Sequence, residues 1–289
     1  MPVNVGKFGV WTSIARWPDD RQARADAVAE LDELGYGAIW LGGATASLEL
    51  PEALLDASRR LVAATGILNV WTEPAKVVAD SYARVSKSHP DRLLIGVGAG
   101  HAAFVGERYW HPFRAVESYL DRLDLPQSRV PRDARLLAAL GPRMLRLAGE
   151  RTAGAHPYLV TPEHTWRARD ILGLGPLLAP EQKVVLTTDA TQARTIARRA
   201  LAVSLALPNY TENLLRLGFV EDDFVGSGSD HLVDSLVAWG SVATIRGRIE
   251  QHHNAGADHV AIQVLTAQAD APLPTAQWRA LAEGLGLLS

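Results

Sequence analysis

Short apolar runs alternate with amphipathic segments along almost the whole chain, roughly every 25–30 residues, the rhythm of repeated strand–helix units. KFGVWTS (7–13), AIWLGG (38–43), GILNVWTE (66–73) and LLIGVGAG (93–100) read as the first four strands. ARLLAALG (134–141), AHPYLVT (155–161), KVVLTTD (183–189) and HVAIQVL (259–265) read as the other four. Between them, residues 21–35 put Ala23, Ala27, Leu31 and Leu34 on one helical face, with Gly35 as C-cap. Residues 51–64 predict a helix with Pro51 at its first position. Further helices are expected from Pro74 to Ser88, near 114–123 and over 142–154.

Strands that keep alternating with helices build a parallel sheet. Eight such units in 289 residues predict a closed (β/α)8 TIM barrel. The interval 190–258 is too long for one helix. It predicts an insertion between strands seven and eight, with helices at 191–207 and 242–255 and shorter ones between. No linker or low-complexity segment interrupts the chain, so 1–289 is expected to form a single domain.

A net charge of -3 gives no reason to expect nucleic acid or an anionic membrane as partner. The chain has no cysteine, which removes disulfides, thiolate metal sites and cysteine nucleophiles, and fits a cytoplasmic location. The N-terminus lacks the basic head and apolar stretch of a signal peptide. No apolar run reaches the ~18 residues of a bilayer span.

In a barrel of this kind, ligands gather at the C-terminal ends of the strands. One of those ends carries GVGAGH (96–101). It is not a dinucleotide fingerprint, since His101 stands where the last glycine is required. Gly96, Gly98 and Gly100 fit either a tight turn or the close approach of a flat ligand. His101 is a candidate for proton transfer near neutral pH, its alternative being a surface-loop histidine. ALGPRM (139–144) ends a strand at Gly141 and opens a helix at Pro142. The free N–H groups there, with Arg143, suit a phosphate. His252-His253 reads as a solvated pair, and Trp40 as core. His156 and His164 lack the spacing of helical zinc ligands, and no metal is expected. GILNVWTE raises its own question: why a buried strand opens on Gly66 and carries the amide of Asn69.

Taken together, three stretches resemble one family. TGILNVWTEPAKVVADSYARVSKSHPDRLLIGVGAGH (65–101) resembles the third and fourth units of the bacterial luciferase-like family, in particular its oxidoreductases that use the deazaflavin coenzyme F420. LLAALGPRMLRLAGERTAGAH (136–156) resembles that family's phosphate-binding fifth unit, and NAGADHVAIQV (254–264) its closing strand. The resemblance implies a (β/α)8 barrel with a flavin or deazaflavin ring across its mouth, and a cis Gly66–Ile67 peptide behind the ring. It further implies a polar contact from Asn69, a ring edge lined by Gly98, Ala99 and Gly100, a phosphate held by Gly141, Pro142, Arg143 and Met144, and Tyr158 near the cofactor tail.

His101 falls where sugar-phosphate dehydrogenases of the family place a catalytic carboxylate, and Glu73 is a second candidate for the proton. Gly43 and Ala44 replace those enzymes' Asp-His pair, Leu140 the first glycine of the phosphate motif, and Ala153 an aspartate. The expected activity is F420-dependent hydride transfer to or from a small organic substrate, by a cytoplasmic homodimer. The alternatives are an FMN-dependent monooxygenase and a non-catalytic flavin-binding protein on the same fold.

Overall fold

The computed structural model describes residues 3–268 and 271–288. Its strands are β1 (Phe8–Ser13), β2 (Ala38–Gly42), β3 (Val62–Thr65), β4 (Leu68–Asn69), β5 (Leu93–Gly98), β6 (Arg135–Leu137), β7 (Gly154–Ala155), β8 (Leu177–Leu178), β9 (Glu181–Val185), β10 (Val237–Trp239) and β11 (Val260–Val264). All their pairings are parallel. The order runs β11-β1-β2-β3-β5-β6-β7-β8. Closure comes from the stretch 177–185, whose first half pairs with β7 (Gly154 opposite Leu177) and whose second half pairs with β11 (Ala261 opposite Glu181). The result is the α/β TIM-barrel architecture that the alternation predicts, with β10 as an extra strand beside β9.

Period-2 alternation sorts the strand residues between two layers. Trp40, Val62, Ala64, Leu94, Leu136 and Ala261 pack together inside the barrel. Val10, Ile39, Leu41, Ile95, Leu137 and Ile262 face the helices. Each fully buried side chain of this size contributes about 1.5–3 kcal/mol. The interior also holds an ion pair, Lys183 Nζ to Glu181 at 3.0 Å, with both side chains almost fully buried.

The third unit differs from expectation. The helix predicted over 51–64 spans only Glu49–Asp56, so Pro51 is its third residue, and Val62–Thr65 is the strand. Tertiary bonding ends the helix: the buried Asp32 carboxylate accepts the backbone N–H groups of Arg59 (2.6 Å) and Arg60 (3.3 Å). The chain then enters the sheet, Ala63 and Ala64 opposite Leu93 and Leu94. After a cis Gly66–Ile67 peptide only Leu68–Asn69 resumes strand pairing, and residues 70–73 form a turn.

The segment between β9 and β11 carries helices at Ala190–Leu205, Pro208–Arg216, Asp230–Leu236 and Val242–Asn254. Leu201, Leu207, Leu214, Leu232 and Leu236 form a separate core against Leu159 and Val185. His252 is no solvated residue: it is fully buried, bonded to Thr165 Oγ1 (2.8 Å) and Gln182 Oε1 (2.9 Å). No helix among the described residues is long and apolar enough to cross a membrane.

Candidate active site

A cavity of about 870 Å³ opens at the C-terminal ends of the strands. Its lining includes Gly66, Ile67 and Asn69 and, across the end of β5, Ala138, Ala139 and Leu140. Gly66 has no room for a side chain, since a Cβ there would stand 2.9 Å from Trp11 Nε1 and 3.3 Å from His156 Nε2. Both of those buried nitrogens lack a hydrogen-bond partner among the described residues. Gly66 therefore caps the barrel interior with backbone alone.

Asn69 locks the turn that follows. Its Oδ1 accepts the N–H of Trp71 (3.0 Å), and the Trp71 indole donates to Ala99 O (2.9 Å). Its amide nitrogen lies against Gly100, where φ is +62° and a Cβ would come within 2.5 Å of Nδ2. Only glycine fits that combination without strain. Ala99 and Gly100 border the cavity, but Gly98 does not. A Cβ on Gly98 would meet Ala138 Cβ at 2.9 Å and Ile67 Cδ1 at 3.2 Å, so packing between strands explains this glycine.

His101 lines the cavity at the N-terminus of a short helix, Ala102–Val105. Its Nδ1 is 2.8 Å from Asn209 Oδ1. That carbonyl oxygen can only accept, so the neutral ring carries its proton on Nδ1. Nε2 is left as a lone-pair acceptor with no partner among the described residues. Burial pulls the His101 pKa below the usual histidine range, and the Asn209 hydrogen bond partly opposes this. The ring is a neutral base near pH 7.

Tyr158 also lines the cavity. Its hydroxyl donates to Gln263 Oε1 at 3.0 Å, and Lys183 Nζ lies 3.6 Å from its ring centroid. Burial raises the Glu181 pKa and lowers that of Lys183, while their mutual attraction acts the other way.

Glu73 is not brought to this site. One carboxylate oxygen accepts the Ala46 N–H (2.6 Å) and the other the Thr72 hydroxyl (3.2 Å), so it ties the 43–47 loop to the 69–73 turn. Arg143 also points elsewhere, its guanidinium 4.3 Å above the Phe113 ring. Gly141 and Met144 do border the cavity, and Pro142 does not. The helix Pro142–Arg151 starts at Gly141 with no side-chain cap, leaving N–H donors free for an anion.

The cation at the rim is instead Arg216, from the helix Pro208–Arg216 of the insertion. The same helix supplies Asn209, Tyr210 and Glu212. Sequence reasoning missed all four, because they lie far from any strand end. The amphipathic pattern of NYTENLLR was their only signal.

This donor set suits a ring with an anionic tail. The backbone edge at Gly66–Ile67 and the small side chains of Ala138 and Ala139 line the cavity, with uncapped helix donors and Arg216 at its border.

No family model matches the sequence, and no curated protein matches it. Solved structures do. An F420-dependent secondary alcohol dehydrogenase, described in complex with an F420-acetone adduct, superposes with a TM-score of 0.72 at 14% identity, over 98% of this chain and 99% of that one. The coenzyme F420-dependent tetrahydromethanopterin reductase from Methanopyrus kandleri gives 0.67 at 15%, over 97% and 98%. The oxygenating constituent of 3,6-diketocamphane monooxygenase from Pseudomonas putida, a type II Baeyer-Villiger monooxygenase in complex with FMN, gives 0.63 at 16%, over 96% of each chain. Likeness at this level of identity speaks for architecture alone, an α/β barrel of parallel strands that the chain shares with these enzymes.

Proposed function

We propose that the protein is an oxidoreductase that uses coenzyme F420 to transfer a hydride to or from a small organic substrate, acting as a soluble homodimer. The observation that carries this reading is His101, held by Asn209 with Nε2 unpartnered on the wall of a cavity large enough for ring and substrate together. When bound, a deazaflavin ring supplies hydride exchange. The protein's part is orientation and the proton. Asn209 fixes the His101 tautomer, and Nε2 accepts a proton as the substrate is oxidised or, once protonated, returns one as it is reduced. Phe104, Val203 and Tyr210 give that wall of the cavity an apolar lining. Gly141, Met144 and Arg216, with the free N–H groups that open the helix Pro142–Arg151, are the residues that would hold the cofactor phosphate, and Asn69 with Ala99 and Gly100 would border the ring.

A deazaflavin does not readily form the oxygen adduct that monooxygenation needs, so cofactor identity decides the reaction class. Titration with F420 and with FMN, followed by fluorescence, tests the reading. Micromolar binding of F420 is expected. Binding of FMN alone would replace it with a monooxygenase, and binding without turnover of any substrate would favour a flavin-binding protein.

A further inference from the structure

A second cavity, of about 490 Å³, lies between the C-terminal ends of β1 and β11 and the helix Ala190–Leu205. Trp11 and Ser13 line both it and the strand-end cavity, so they form the partition between the two. The indole of Trp11 is seated by shape. A Cβ on Gly42 would collide with its Cη2, and one on Gly66 would stand 2.9 Å from its Nε1. Its buried N–H has no hydrogen-bond partner among the described residues. A second link crosses the partition. Tyr158, on the strand-end cavity, donates its hydroxyl to Oε1 of Gln263, on the other one.

The second cavity is built from donors. Arg16 enters it from the turn Ile14–Arg16 after β1, and Arg199 from the helix Ala190–Leu205. Among the described residues, no carboxylate lines the cavity and none pairs with either arginine. Arg16 is half-buried and gives its donors to neutral acceptors: Nε to the Ala271 carbonyl (3.0 Å) and Nη2 to the Pro272 carbonyl (2.7 Å). It anchors the chain after β11, and its charge has no counter-ion among the described residues. Arg199 is exposed at the rim and donates to the Thr266 carbonyl at 2.9 Å. The rest of its planar fork has no partner among the described residues. Neither has the amide nitrogen of Gln263, whose oxygen is taken by Tyr158. A guanidinium fork beside an amide N–H₂ and a second, fixed positive charge fits a planar anion with two oxygens, a carboxylate.

We infer that the second cavity is a subsite for the carboxylate of a substrate whose reacting end lies in the strand-end cavity, and that Trp11 is the partition this molecule crosses. The substrate is then an organic acid with an apolar stretch between its carboxylate and its reacting carbon, matched to the indole and to Ile196 and Ala200 beyond it. The cofactor phosphate, proposed at Gly141 and Arg216, leaves this subsite to the substrate. Gly141 follows β6, which stands across the barrel from β1 in the order β1-β2-β3-β5-β6. The carboxylate subsite rests on its own residues; that its occupant is the substrate rests on the F420 reading.

The test titrates the whole protein, first without cofactor, with linear carboxylates from acetate to decanoate, their methyl esters and inorganic phosphate, followed by calorimetry. Affinity should rise with chain length as the tail crosses Trp11, and each long carboxylate should bind at least tenfold tighter than its ester. Arg199→Gln changes an exposed side chain and should fold normally. It should lower carboxylate affinity at least fivefold and leave the esters within twofold. Trp11→Leu should flatten the dependence on chain length, and an unaltered dependence would remove Trp11 from the path. Equal affinity for acid and ester, or no effect of Arg199→Gln, would overturn the subsite. Inorganic phosphate bound more tightly than every carboxylate would overturn the ligand class. Acetate bound as tightly as decanoate would make the occupant a free anion that does not cross Trp11. F420 titration separates the remaining source. Arg199→Gln should leave F420 affinity within twofold, whereas a tenfold loss would give the subsite to the cofactor and overturn the assignment to substrate. If F420 does not bind at all, the cofactor reading falls, and the carboxylate series still decides the subsite.

Discussion

The Trp40 indole donates its N–H to His259 Nε2 at 2.9 Å, inside the barrel and out of reach of solvent. The other nitrogen of His259 lies 2.9 Å from the Gly6 carbonyl. Nδ1 must therefore carry the proton, and Nε2 cannot take one without opposing the indole. The face of Trp40 stacks on His156 at 4.2 Å, and His156 Nδ1 bonds to the Ala179 carbonyl at 2.7 Å. Burial is the largest cause in each case, and it lowers the pKa of His156 and His259 to about 4 and that of His252 to about 3.

These three histidines predict acid lability in a defined window. In the unfolded chain they titrate near 6.5. Between that value and about 4 the unfolded state binds protons that the native state refuses, so stability falls as pH falls. Each contributes up to about 1.4 kcal/mol per pH unit in the window. Urea midpoints should drop from pH 7 to 6 to 5, before the carboxylates held low by arginine partners, Asp124 and Asp234, begin to protonate. A midpoint constant down to pH 5 would contradict this account.

His101 and Asn209 should separate chemistry from positioning. His101→Ala is expected to lower turnover about 10²–10⁴-fold, the usual loss for a general acid–base group. Asn209→Ala should cost less but move the pH profile. The Asn209 hydrogen bond holds the His101 pKa up against burial. Its loss lets that pKa fall further, and the acid limb of kcat/KM in the oxidising direction should shift to lower pH. Equal profiles in wild type and Asn209→Ala would remove Asn209 from the mechanism.

The barrel was legible because its signal is distributed. Eight apolar runs at steady spacing survive an error in any one, and the error in the third unit did not change the fold. That error had a local cause, since nothing in LVAAT announces that Asp32 will take the N–H groups of Arg59 and Arg60. At the site, His101 was readable because it ends a strand among glycines, where a side chain faces the mouth. Tyr210 and Arg216 were not, since a helix of an insertion reaches the mouth only through the packing of Leu207 and Leu214 against Leu159 and Val185. Charge and strand-end position suggested Glu73 and Arg143, but backbone donors and an aromatic face claim them first.

Gly98 and Gly141 should respond differently to alanine. A Cβ at Gly98 meets Ala138 Cβ at 2.9 Å, and neither atom sits on a flexible arm, so backbone must shift. Gly98→Ala should destabilise by about 1–3 kcal/mol, the scale of overpacking. Gly141 has open space around its Cβ position and an ordinary φ of -87°. Gly141→Ala should stay within about 0.5 kcal/mol of wild type. Denaturant midpoints read both, and similar costs at the two positions would show that strand packing at Gly98 is not the constraint.

Arg216 and Arg143 divide the question of where the cofactor phosphate is held. Both carry a permanent charge, and the helix Pro142–Arg151 presents its uncapped N-terminus to the cavity. Arg143 belongs to that helix but stacks on Phe113, outside the cavity lining. Arg216 reaches the lining from across the site, and no carboxylate among the described residues pairs with it. Arg216→Ala should weaken F420 binding by about 1–3 kcal/mol, as for a hydrogen bond to a charged group. Because Arg216 is exposed, that loss should shrink at high salt. Arg143→Ala should leave affinity within twofold, with only a small loss of stability from the stacked face. Fluorescence titration of both variants at low and high salt measures this. A large loss with Arg143→Ala beside an unaffected Arg216→Ala would mean that the first arginine swings off Phe113 to meet the phosphate.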